Sequence, residues 1–128
     1  MNRNIGVYIE IPAGDLDRAM AFYAAVFDAD FEVVALHESR MALFDIDRDA
    51  HGVTGALCQG EAYVPSRNGT LIYLRSTDIA VTLNRGEAAG GEVLFARTQA
   101  GDWGHVAEFA DSEGNRIGLH EAPGPTDA

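Results

Sequence analysis

The 128-residue chain contains no lysine; its nine basic residues are all arginine and face 20 acidic ones, for a net charge of −11. Without a lysine amine, Schiff-base catalysis and a lysine general base are excluded. So acidic a chain is also a poor match for nucleic acid, whose phosphates dominate affinity and require basic patches. The same charge argues against anionic membrane surfaces. Cysteine is nearly absent: Cys58 stands alone, so an intrachain disulfide framework and a cysteine zinc knuckle are ruled out. No apolar run approaches the roughly 20 residues of a membrane-spanning helix. The N-terminal residues lack the basic, apolar, small order of a secretory signal, which makes a cytoplasmic protein the expectation.

What is present is a repeat. Tyr8-Ile-Glu-Ile-Pro-Ala-Gly-Asp-Leu16 is echoed at a shift of 63 by Leu71-Ile-Tyr-Leu-Arg-Ser-Thr-Asp-Ile79. At a shift of 62, His51-Gly-Val-Thr-Gly-Ala-Leu-Cys58 is echoed by Glu113-Gly-Asn-Arg-Ile-Gly-Leu-His120. Self-similarity of this kind constrains the fold before any single element does. It predicts one domain over 1–128: a first module at about 5–60, a connector at 61–69, a second module at 70–121 and a disordered tail at 122–128.

Each module reads as strand, helix, strand, strand, strand. Val7, Ile9 and Ile11 alternate with Tyr8 and Glu10, the period of a strand with one apolar face. Asp15 suits a helix N-cap, and Leu16, Met20, Tyr23 and Phe27 then form one helical stripe. Short strands are expected at 31–36, 41–45 and 53–59. Pro65 and Asn68-Gly69 mark the connector. The second module predicts a strand at 70–75, a helix at 79–89 closed by Gly90-Gly91, and strands at 92–97, 105–110 and 116–120. The shift places Leu16 on Ile79 and Met20 on Leu83, but Tyr23 on Gly86, so the second helix carries less bulk there.

Three segments carry a resemblance: Glu10-Ile-Pro-Ala-Gly-Asp-Leu-Asp-Arg18 with Phe22-Tyr23, Gly69-Thr-Leu-Ile-Tyr-Leu74, and Asp111-Ser-Glu-Gly-Asn-Arg-Ile-Gly-Leu-His120. Together they resemble the vicinal oxygen chelate superfamily of glyoxalase I, bleomycin-resistance proteins and extradiol dioxygenases, and most of all its small bacterial glyoxalase-like members. The resemblance implies an α+β fold in which two βαβββ modules form an open, curved, mixed eight-stranded sheet with the helices outside. It also implies a ligand on the concave face and a homodimer.

Metal-using members of that family place a His, Glu or Gln on the first and last strand of each module, to hold Fe, Mn, Ni or Zn while substrate oxygens take the open positions. Those positions fall here on Tyr8, Ala56, Leu71 and Gly118. That set cannot assemble a divalent cation, so no metal is expected. A displaced site of Glu10, Cys58 and His120 is the alternative.

Seven residues are ligand-binding candidates: Tyr8, Glu10, Cys58, Tyr73, Arg75, Arg116 and His120. Glu10, the one acid in an apolar strand, reads either as a general base whose pKa burial would raise or as a partner for Arg75 or Arg116. Those arginines could instead grip a carboxylate or phosphate. His120 could serve in acid–base catalysis or touch the ligand. Tyr8 and Tyr73 could flank a flat apolar molecule, with Trp103 as a lid or a dimer contact. Cys58 reads as an inert small hydrophobe, and His37 and His51 as solvent-facing turn residues. Of His105 and Glu108, on opposite faces of one strand, either could look inward.

The expected function is binding of a small organic molecule without a metal. The alternatives are a drug-sequestering resistance protein, or a lyase, isomerase or dioxygenase using Ni, Zn, Mn or Fe on the displaced set.

Overall fold

The structure is a computed structural model that describes residues 5–36, 38–50 and 52–124. His37, His51 and tail residues 125–128 lie outside the described residues, and so do the expectations that fall on them. Residues 122–124 carry no helix or strand.

The first half runs β1 (Tyr8–Pro12), α1 (Leu16–Phe27), β2 (Phe31–Leu36), β3 (Ser39–Phe44) and β4 (Thr54–Gln59). The second runs β5 (Tyr73–Arg75), α2 (Ile79–Ala88), β6 (Glu92–Gln99), β7 (His105–Ala110) and β8 (Arg116–Glu121), with a 3-10 turn at Gly101–Trp103. The α+β expectation of two βαβββ modules holds. The eight strands form two four-stranded mixed sheets, ordered β1-β4-β3-β2 and β5-β8-β7-β6. Within each, the first and last strands of the module pair parallel and the remaining pairs are antiparallel. Among the described residues no helix is long and apolar enough to cross a membrane.

The helices begin alike because the repeat supplies the same donors and acceptors twice. Asp15 and Asp78 cap them, each accepting from the backbone N–H three residues on, at 3.1 and 3.2 Å. This satisfies one of the N–H groups that a helix start leaves without a partner. Another is met from the last strand of each module: Leu16 N–H donates to Gln59 Oε1 (2.7 Å), and Ile79 N–H to Glu121 Oε1 (2.8 Å). The ends differ. The α2 helix is followed by Gly90 at φ +103°, whereas α1 ends on Asp28 at φ +58°, a left-handed conformation that aspartate tolerates better than most side chains.

One core joins the two halves. The helices touch each other, and Phe22 of α1 meets Phe109 of β7 edge-on at 5.5 Å. Ile11 and Leu57 from the first sheet, and Ile117 and Leu119 from the second, are buried in the same cluster. Burying each such side chain contributes about 1.5–3 kcal/mol. The reduced bulk at Gly86 is filled from β7: a Cβ there would lie 2.8 Å from the Phe109 ring.

The Asp111–Asn115 turn staples the halves together. Asp111 accepts from Tyr23 Oη at 2.7 Å, and Asn115 Nδ2 donates to the Pro12 carbonyl at 2.7 Å. Glu113 accepts from Arg18 through both carboxylate oxygens (2.7 and 3.0 Å) and from Asp15 N–H. Burial pushes the Glu113 carboxyl up, but the Arg18 pair and the Asp15 bond outweigh it and leave the group below the usual carboxylate range.

Candidate functional site

Strand alternation sorts the candidate residues by face. Ile9 and Ile11 of β1, Leu57 of β4, and Ile117 and Leu119 of β8 turn to the shared core. The residues between them, Tyr8, Glu10, Ala56, Cys58, Arg116, Gly118 and His120, therefore turn to the faces away from the helices.

In the first half Glu10 forms the centre. Tyr8 Oη donates to its Oε2 at 3.0 Å and Tyr63 Oη to its Oε1 at 3.1 Å. Cys58 is buried close by. Burial, then the hydrogen bond to the Glu10 carboxylate and its charge, pushes the Tyr8 phenol up to about 12. Burial, then the charge of Glu10, pushes the Cys58 thiol up to about 12. The Glu10 bond also raises the Tyr63 phenol. The phenols thus stay protonated donors at neutral pH.

Two expectations for Glu10 are corrected here. Its side chain is exposed and not buried among the apolar residues of its strand. Its partners are two phenols rather than Arg75 or Arg116. Tyr63 was not legible in the sequence; it sits in the connector, where its N–H bonds the Gly60 carbonyl at 3.0 Å and the turn brings it over β1.

Tyr73, Arg75 and His120 meet in the second half, in a cavity of about 790 Å³ also lined by Trp103 and Val106. His120 Nε2 lies 2.6 Å from the Trp103 carbonyl. A carbonyl only accepts, so Nε2 carries the proton and donates. Arg116 belongs to a second, smaller groove of about 400 Å³ that it shares with Glu10, Ile72 and Ile117. Glu108 holds it through two bonds, at 2.6 and 3.0 Å, and this charge-assisted fork raises the guanidinium further. Glu108 therefore looks to the face away from the helices. His105 looks to the other, with Nδ1 3.9 Å from Glu121.

The seven candidates do not converge in one chain. Tyr8, Glu10 and Cys58 cluster in one half, Tyr73, Arg75 and His120 in the other, and Arg116 stands in the groove between β1 and β8. The displaced set of Glu10, Cys58 and His120 is split the same way. Among the described residues no three His, Cys, Asp or Glu side chains group as metal ligands.

The family's four metal positions fit no better. Tyr8 keeps its proton and bonds Glu10. Ala56 is fully buried and, like Leu71, has no donor atom. Gly118 has no room for a donor: a Cβ there would come within 2.6 Å of the Tyr73 ring. These residues do not fit a divalent metal.

With its thiol buried and held protonated, Cys58 is expected to resist a disulfide reagent at pH 8 in the folded protein. It should react stoichiometrically once urea unfolds the chain. Fast labelling of the folded protein would show an accessible, activated thiol instead.

Residues 7–119 match the family model described as the Glyoxalase/Bleomycin resistance protein/Dioxygenase superfamily. A glyoxylase-like domain-containing protein of Didymella fabae is 30% identical over 122 residues, covering 91% of this chain and 92% of that protein. Because that relative is fungal, the likeness does not single out a bacterial subgroup. Among solved structures, an antibiotic binding protein from a Streptomyces species superposes with a TM-score of 0.69 at 22% identity, covering 95% of this chain and 98% of that one. Glyoxalase I from Zea mays superposes with a TM-score of 0.63 at 14% identity over 89% of this chain. The chain spans 44% of the maize protein's length.

Proposed function

Because the chain belongs to the glyoxalase/bleomycin resistance protein/dioxygenase superfamily, we propose that it binds a small organic molecule on the sheet faces turned away from its helices, without a metal. The observation that carries this reading is the cavity of about 790 Å³ lined by Tyr73, Trp103, Val106 and His120. Its volume lies within the range of small-molecule pockets, and it combines apolar walls with a few polar groups, as such pockets do. The four family metal positions, lacking a donor set, support binding over metal chemistry.

The reading includes a homodimer. Tyr8 is 46% exposed, Tyr73 51% and Trp103 78%, and each half carries only part of the candidate set. A second copy facing these surfaces would set the Glu10 cluster of one chain against the Tyr73 cavity of the other. A simple binding or sequestering role suits the net charge of −11 and a cationic ligand. A lone cysteine kept as a thiol suits the cytoplasm.

Thermal-shift screening of chelator-treated protein against a library of small organic molecules tests the reading. Stabilising compounds are expected, with shifts that grow with concentration, that added Ni, Zn, Mn or Fe leaves unchanged, and that Val106→Trp reduces by narrowing the cavity. Sedimentation of the same protein should give twice the chain mass. A divalent ion required for every hit, or no hit at all, would overturn the proposal, and a monomer at all concentrations would remove its dimer component.

A further inference from the structure

Tyr73 and Gly118 stand directly opposite each other in the parallel β5–β8 pair. A Cβ on Gly118 would lie 2.6, 2.7 and 2.9 Å from Cδ1, Cε1 and Cγ of the Tyr73 ring. Three consecutive ring atoms at nearly equal distance place the ring across the glycine, in the space a side chain at 118 would fill. In metal-using members of the family this position supplies a donor; here it supplies a seat for an aromatic ring.

A glycine of the α2 helix provides the comparison. The Phe109 ring rests on Gly86 in a similar way, but Phe109 is 1% exposed and packed on every side. That ring is core. Tyr73 is half exposed, so its far side is open, and it opens into the cavity of about 790 Å³. Trp103 stands at the same cavity, anchored through its carbonyl to His120, and Val106 adds an apolar wall. Glu121, the acid at this rim, is already engaged by Arg97 and by the Ile79 N–H.

We propose that Tyr73, seated on Gly118, is a stacking platform, and that the cavity selects a planar aromatic or conjugated ligand over a saturated one of the same size. This rests on the binding reading above and names its ligand class. Aromatic rings stack offset or edge-to-face with an energy beyond the area they bury, and a saturated ring system cannot recover that part.

Calorimetric titration with 2-(aminomethyl)naphthalene, cationic at neutral pH, and with its saturated counterpart, 2-(aminomethyl)decahydronaphthalene, tests it on the full chain. The naphthalene compound is expected to bind about tenfold more tightly. Tyr73→Phe should keep that preference and Tyr73→Leu should erase it. Gly118→Ala, which pushes the ring off its seat, should erase it too, and if that variant fails to fold the exposed Tyr73 substitutions still decide. Equal affinity for the two compounds, a preference that survives Tyr73→Leu, or binding of neither would each overturn the stacking platform. The broader binding reading would then stand on the library screen alone, since that screen includes non-aromatic compounds.

Discussion

Asp111→Ala is expected to lower the free energy of unfolding by about 3–5 kcal/mol, the range for leaving buried partners of a charged group uncompensated. Asp111 is 3% exposed, and four donors converge on its carboxylate. Oδ2 accepts from Tyr23 Oη and Asn115 Nδ2, at 2.7 and 3.0 Å. Oδ1 accepts from the backbone N–H groups of Glu113 and Asn115, both at 2.9 Å. Alanine would orphan three of them and leave Asn115 Nδ2 with the Pro12 carbonyl alone. The Tyr23 hydroxyl, fully buried, would suffer most: burial, then the charge of Asp111, already holds its pKa well above the usual phenol value. The loss would also loosen the turn whose Asn115 and Glu113 tie the two halves together. Urea unfolding of the wild type and the variant measures the change. Tyr23→Phe provides the scale, since it removes one donor and should cost only about 1–2 kcal/mol. A deficit below that of Tyr23→Phe would show that the turn does not depend on this carboxylate.

Gly55→Ala is the second large effect, expected at about 3 kcal/mol and large enough to reduce the yield of folded protein. Gly55 sits opposite Ile9 in the parallel β1–β4 pair. A Cβ at this position would collide with the Ile9 carbonyl oxygen and lie 2.7 Å from Ile9 Cγ1. A backbone oxygen cannot swing aside like the end of a side chain, so β1 would have to lift from β4. That movement would carry Glu10 away from Tyr63 as well, so the first-half cluster should be disrupted along with stability. Denaturant unfolding, with near-ultraviolet circular dichroism to follow the tyrosines, reads both. A variant as stable as the wild type would mean that β1 can shift at little cost.

Both effects arise where the chain approaches itself closely, and neither was visible in composition. The module order was visible. Both helices were, through the Asp-Leu and Asp-Ile starts and the Leu16, Met20, Tyr23 and Phe27 stripe, because helix caps and periodicity are local properties of the chain. The repeat even implies the equivalence of Gln59 and Glu121, which lie 62 residues apart and each bond the first N–H of their module's helix. The 3-10 turn at Gly101–Trp103 is too short to leave a period that the sequence could show.

The face on which Tyr8, Glu10, Gly118 and His120 lie follows from alternation along β1 and β8. What each meets there does not. Glu10 is exposed, and its partners are Tyr8 of its own strand and Tyr63 of the connector. Arg116 takes Glu108 rather than Glu10 because β7 is paired with β8 in one sheet, whereas β1 belongs to the other and faces β8 only across a groove.

By itself, then, the sequence determined a repeated βαβββ chain and the faces of its strands, which depend on local periodicity and its echo 62–63 residues on; that the family's metal positions carry no donor set follows from the resemblance. Only the tertiary structure decided that the two halves do not bring the seven candidates into one cavity, and that the ring of Tyr73 lies on Gly118. Those outcomes depend on how the edges of separate strands are brought together. That placement is set by the core shared between α1, α2 and the two sheets, and a pattern of period 2 or 3.6 carries no record of it.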